Sequence, residues 1–298
     1  MGISFKRWLV LLVLGALAAG LLSACGLFGP AATPTPEPTP APPTPTPEPL
    51  AARVNGEGIL LSEYNDELLR VQDAAAEQGA SLTAEELKQK TLDELVLEVL
   101  LAQQAAAGGF SVSDADVQTR IDSLVSQLGS PQALSDWLAR NHFTEDTFRA
   151  RLKRQLLALH QRDTVLAGVP ETMEQVRAFQ ILVLDEATAN EVVRRLDAGS
   201  DFATLVSIYD NSPTGGDLGW FPRGYLYKKE VEDAAFALQP GQHSPVIKTD
   251  YGYHVLLVTE RDPNRPLSPA ARRAFQETAL KDWIEQQRSQ AVIEILIP

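Results

Sequence analysis

The sequence predicts an α+β chain. A mainly helical N-terminal domain is completed by a C-terminal helix and strand, and a small mixed domain is inserted between those two parts. Three observations lead there. Apolar residues recur at helical spacing between about residues 62 and 160. The pattern then turns β-like around a glycine turn, Gly215-Gly216-Asp217-Leu218-Gly219-Trp220-Phe221. Finally, Ala291 to Ile297 reads as a strand, for which Ala51 to Val54 is the obvious unpaired partner.

In chain order, Ala51 to Val54 runs into an Asn55-Gly56 turn, and Ser62 is placed to cap a helix with Tyr64, Leu68, Leu69 and Val71 as its apolar positions. Thr83-Ala84-Glu85-Glu86 fits a capping box that opens a longer helix to about Ala107. Leu92, Leu95, Val96, Val99 and Leu100 form its buried stripe, and Gly108-Gly109 stops it. Ser113 and Asp116 make a second capping box before Val117, Ile121, Leu124, Val125 and Leu128. Pro131 suits the first turn of a short helix through Trp137 and Leu138. Thr144 caps the last of this set, where Phe148, Leu152, Leu156 and Leu159 share a face.

From Val176 the order becomes strand, two helices, glycine turn, helix and strand. Phe179 to Leu184 is the first strand, and Ala187 to Ala198 and the Phe202 region are the helices. Ala234 to Leu238 is a short helix ended by Gln239-Pro240-Gly241, and Val255 to Thr259 closes the unit as a strand. Asp262 to Pro266 reads as a loop, and Ser268 to Ser289 as the final helix.

The N-terminus sets the compartment. Lys6 and Arg7 precede an apolar run to Leu22, about 15 residues against the roughly 20 that span a bilayer core. Leu22-Ser23-Ala24-Cys25 follows and resembles the bacterial lipobox, which implies lipidation at Cys25, the only cysteine. Residues 1–25 are thus expected to be a lipoprotein signal peptide and 26–49 a Pro/Thr-rich spacer that favours extended polyproline II. Fully extended, the spacer reaches roughly 60 Å. Formal charge is −13. That balance argues against nucleic-acid binding, which requires neutralising phosphates, and leaves anchoring to the lipid tether at Cys25. His142, His160 and His243 have no neighbours that suggest metal ligation. Nor does a hydrolase triad or an acid/base carboxylate pair emerge.

The glycine turn, Phe236-Ala237-Leu238-Gln239-Pro240-Gly241, Ser244-Pro245-Val246 and Thr249-Asp250-Tyr251-Gly252-Tyr253-His254 resemble the parvulin-type peptidyl-prolyl isomerase domain, in family order. With the helical set and Val54-Asn55-Gly56, the whole chain resembles the SurA and PrsA class of extracytoplasmic foldases. The resemblance implies a helical chaperone domain at 50–170 and a parvulin domain at 174–261. Residues 267–298 would pack back on the first. It also implies unfolded or proline-containing secreted polypeptides as clients. No metal or cofactor is called for. Rotation about an X-Pro bond has a barrier of about 18–20 kcal/mol, and an isomerase must favour the twisted amide over either planar form.

The resemblance places a proline socket at Leu218, Leu226, Val231 and Phe236, with Val231 where a phenylalanine commonly stands. Leu218, Leu226 and Val231 read equally well as ordinary core. The family's polar group is two histidines, a Cys or Asp, and a Thr or Ser. His254 matches the second histidine and Thr249 the hydroxyl, while Gln180 stands where the first histidine is expected. Asp210 and Ser212 compete for the Cys/Asp position, in a loop about three residues short. The implied activity is weak X-Pro isomerisation. The alternative is a non-catalytic holdase or adaptor that keeps the fold.

Overall fold

A computed structural model describes residues 48–210, 212 and 214–298. The expected signal peptide, Cys25 and all but the last two residues of the expected 26–49 spacer lie outside them.

The helical part begins with a hairpin, β1 (Leu50–Val54) and β2 (Glu57–Leu60), and continues through five helices. These are α1 (Leu61–Glu77), α2 (Ala84–Ala107), α3 (Asp114–Leu128), α4 (Pro131–Arg140) and α5 (Glu145–Ala167). The capping boxes form as the spacing predicts. Thr83 and Glu86 bond reciprocally at the start of α2, as do Ser113 and Asp116 at α3, and Pro131 occupies the first turn of α4. Ser62 is not a cap. The cap position falls two residues earlier, at Leu60, straight off the hairpin, and the carbonyl of Pro49, just before β1, accepts from Leu61 N at 2.8 Å, satisfying one of the orphan donors a side chain would otherwise take. Leu69, Leu128 and Leu159 lie at the surface rather than in their helices' buried stripes, because each sits at the margin of an apolar arc that its neighbours already fill.

The chain's end returns to this part. After α9 (Pro269–Gln290), β7 (Ile293–Ile295) pairs antiparallel with β1, giving the sheet order β2-β1-β7. Ala51, Ala52, Val54 and Ile59 then bury against Leu95, Val96 and Val99 of α2, with Ile293 and Ile297 packed alongside. An apolar hairpin this small cannot stand alone, and the helix it covers supplies its core.

The inserted part is β3 (Thr172–Val183), α6 (Glu186–Asp197), α7 (Phe202–Tyr209), β4 (Asp217–Pro222), α8 (Lys229–Ala237), β5 (Ile247–Thr249) and β6 (Gly252–Pro266). Its sheet has the order β4-β3-β6-β5 and is antiparallel throughout. Side chains alternate across β3 with period two. Val176 and Ala178 face α8 and meet Phe221, Phe236, Leu256 and Val258. Ile181 and Val183 face α6 and α7 with Val192, Leu205 and Val255.

Two expectations are corrected here. Asp262 to Pro266 is not a loop but the end of β6, paired to Thr172–Gln175. A bulge opposite Met173 and Gln175 takes up the extra residue, so Pro263 and Asn264 need no ladder partner. The buried Gln175 amide donates to the carbonyls of Arg265 and Pro266, both at 3.0 Å, which fixes that bulge. The glycine turn is, from Asp217 on, itself part of a strand, β4, which pairs antiparallel with β3 and carries Trp220 and Phe221. Phe221 is fully buried, and Trp220 is half-buried under the Arg265 guanidinium, 4.0 Å from the ring.

Candidate active site

The site lies on the α8 face of β3 and β6. Leu182 pairs with His254, and Gln180 pairs with Leu256, so Gln180 and His254 are diagonal neighbours on one face. His254 Nδ1 is 3.0 Å from Gln180 Oε1, and Nε2 is 2.8 Å from Thr249 Oγ1. With Gln180 Oε1 as acceptor, Nδ1 carries the proton and Nε2 accepts from the Thr249 hydroxyl. The Thr249 oxygen in turn accepts from Tyr251 N at 3.1 Å, which orients it. Gln180, His254 and Thr249 therefore form one continuous chain of hydrogen bonds.

Asp210 and Ser212 take different places. Asp210 ends α7, is buried, and accepts from Leu182 N at 3.0 Å and Ser212 N at 2.7 Å. Its carboxylate is thus tied to the strand residue directly paired with His254. Ser212 Oγ instead accepts from Gly216 N at 3.0 Å, inside the turn. Burial lowers the His254 pKa. The Asp210 charge opposes that shift, and the Lys228 charge adds to it. The ring is therefore neutral at pH 7. Gln180 can accept or donate, but it passes no proton, so this chain orients an imidazole without relaying through a second ring.

The four socket residues divide. Leu218 and Leu226 are half-buried and lie at the margin of the apolar cluster. Val231 and Phe236 are each only 3% exposed and belong to its interior. Phe236 packs edge-on against Phe221, 6.1 Å between centroids, and the Arg223 guanidinium covers its ring at 4.2 Å. Leu218 and Leu226 are thus the open apolar surface beside the polar chain, while Val231 and Phe236 support it from beneath.

A residue not singled out from sequence shapes that surface. Glu232 is buried, and its carboxylate accepts from the backbone N–H groups of Gly224, Tyr225 and Leu226 at 2.8, 3.0 and 3.0 Å. Three donors on one carboxylate hold the loop that carries Leu226. The signal was present: Glu232 falls among Val231, Ala235 and Phe236 on the buried face of α8, where a charge needs partners.

Comparison with known proteins agrees with this architecture. Residues 4–162 match the family model of the SurA-like N-terminal domain, and residues 171–274 match that of the PPIC-type PPIase domain. Foldase protein PrsA of Geobacillus sp. (strain WCH70) is 32% identical over 74% of this chain and 78% of its own length. The chain belongs to the PrsA foldase family. Foldase protein PrsA of Caldanaerobacter subterraneus subsp. tengcongensis is 31% identical, over 70% of this chain and 72% of that one. A crystal structure of peptidylprolyl isomerase (PrsA) from Bacillus cereus is 25% identical, covers 78% of this chain and 82% of its own, and has a TM-score of 0.44. This PrsA-family chain therefore carries a SurA-like domain and a peptidyl-prolyl isomerase domain, with the polar chain and half-buried leucines lying in the latter. Among the described residues, no group of His, Cys, Asp and Glu could hold a metal ion, and no helix is long and apolar enough to cross a membrane.

Proposed function

We propose that this chain is an extracytoplasmic foldase, tethered through lipid at Cys25, that binds unfolded secreted polypeptides and isomerises their X-Pro bonds slowly. The observation that carries the reading is the Gln180–His254–Thr249 chain beside Leu218 and Leu226. An apolar surface grips the proline ring, and neutral His254, oriented from both sides, faces the amide as its charge redistributes during rotation. The amide at Gln180 replaces a titratable ring, which is why the rate is expected to be low.

A second reading, a holdase that binds without catalysis, draws on a different part of the molecule. A groove of about 860 Å³ runs between α2 and α9, with Leu97, Leu280 and Ile284 among its lining residues. It offers apolar surface to an unfolded segment independently of the inserted domain.

One experiment separates the two. NMR exchange on Ala-X-Pro peptides is expected to show modest acceleration, reduced at least tenfold in His254→Ala and raised in Gln180→His. No acceleration for any X would leave the holdase reading. The insert can be removed cleanly, because Leu267 N lies 2.9 Å from Glu171 O across its base. Suppression of client aggregation that survives excision of 172–266 would place chaperoning in the helices.

A further inference from the structure

Beside the site, a lysine is held in a fixed position that the chemistry above does not use. Lys228 precedes α8, two residues after Leu226, and its ammonium reaches Asp250, 2.5 Å away, in the turn between β5 and β6. Asp250 is the neighbour of Thr249, which bonds His254. The ion pair therefore bridges the leucine side of the site to the hydroxyl side. Two tyrosines frame it, with Lys228 Nζ 4.7 Å from the Tyr227 ring centroid and 4.4 Å from that of Tyr251. Both rings are exposed, 84% and 55%, whereas the lysine side chain is only 19% exposed. An exposed tyrosine pair closing over a lysine is an arrangement for contact with something else.

The surrounding acids say what that is. Asp210 is occupied by two backbone N–H groups and Glu232 by three. Asp217 accepts from Gly219 N and lies 3.7 Å from Arg177. These carboxylates are already engaged by groups of the fold, Asp217 while remaining part-exposed. The partner of Lys228, Asp250, is 71% exposed, so water weakens its hold and leaves part of the ammonium's field directed outward. Lys228 has lost its freedom already, and the Tyr227 and Tyr251 hydroxyls can add donors.

We propose that Lys228 selects an acidic residue immediately before the proline, as a specificity-determining residue of this site. The inference rests on the X-Pro reading above. A side chain at X leaves the backbone beside the gripped ring and reaches the rim, where a carboxylate meets the ammonium. The ammonium is coupled to the polar chain through Asp250, the neighbour of the Thr249 whose hydroxyl bonds His254.

The test uses the full chain and Ala-X-Pro-Phe peptides with X as Glu, Gln, Lys or Leu. Amide shifts give the dissociation constant, and exchange spectroscopy gives the rate. The Glu peptide is expected to bind about threefold more tightly than the Gln peptide at low salt, with the ratio shrinking as salt rises. In Lys228→Met the ratio falls to about one, and in Asp250→Asn, which keeps the lysine and frees its charge, it widens. Equal binding of Glu and Gln, preference for Lys or Leu, or a ratio unchanged in Lys228→Met would overturn the proposal while leaving the X-Pro site intact. Failure of every peptide to bind would overturn both.

Discussion

Replacing Gly216 by alanine is expected to destabilise the inserted domain by about 3 kcal/mol or more. Gly216 has φ of +74°, and a Cβ there would lie 2.1 Å from the backbone oxygen of Gln180. That neighbour is main chain and cannot swing aside. Gly216 O also accepts from Gln180 N at 2.8 Å, so moving either residue breaks the bond that holds the turn to β3. Gly215 supplies the control. It too has positive φ, +60°, but nothing lies within 4 Å of its Cβ position, so alanine there bears only the backbone term of about 1–2 kcal/mol. Urea unfolding, with amide exchange in β3 and β6 to localise the effect, gives the comparison. Equal losses at 215 and 216 would rule out the close approach. Because Gln180 is the residue displaced, Gly216→Ala should also reduce peptide binding before the domain unfolds.

Glu98→Ala is expected to cost about 3–5 kcal/mol in the helical part, because it leaves the buried Arg151 and the half-buried Arg154 guanidinium groups short of a partner. Glu98 on α2 meets Arg154 Nε at 2.7 Å and Arg151 Nε at 2.6 Å, the latter off the hydrogen-bond axis. Glu63 and Glu67 of α1 complete the cluster against Arg151 and Arg154, and Gln155 and Glu94 face the same carboxyl environment. Burial pushes the Glu98 carboxyl up to about 7, with Arg151 pulling against it and Glu67 pushing the same way. A carboxyl raised in the fold binds its proton more tightly there than in the unfolded chain. Its contribution is therefore full below about pH 4.5 and is lost as pH rises through about 7, a fall of up to about 3 kcal/mol. Glu98→Gln should flatten that part of the stability profile. Denaturant unfolding at intervals from pH 5 to 8 reads it directly, and a slope that persists in Glu98→Gln would refute the assignment.

Much of this was legible because local chemistry carries it. Thr83 with Glu86, and Ser113 with Asp116, specify helix starts through bonds three residues apart, so no tertiary information is required. Gly216 and Gly252 mark where the backbone approaches β3 too closely for a Cβ; one built on Gly252 would lie 2.5 Å from Val183 O. Features set by remote partners were read wrongly or not at all. Asp262 to Pro266 has loop composition, yet its backbone pairs with β3 because a bulge absorbs the proline. Ser62 looked like a cap until a strand end took its place.

The division within the site follows the same line. Sequence alone determined that a glutamine stands at 180, that His254 and Thr249 occur on one hairpin, and that a glycine turn leads into aromatic residues. Those are facts of residue type and short spacing. Only the tertiary structure decided that Asp210 lies against Leu182 while Ser212 serves the turn. It also separated open Leu218 and Leu226 from buried Val231 and Phe236, and it gathered Glu232 and Lys228 around the rim. The physical reason is separation along the chain. Gln180 and His254 are 74 residues apart, and what joins them is the register of β3 against β6, a property of two strands packed under one helix rather than of any segment by itself.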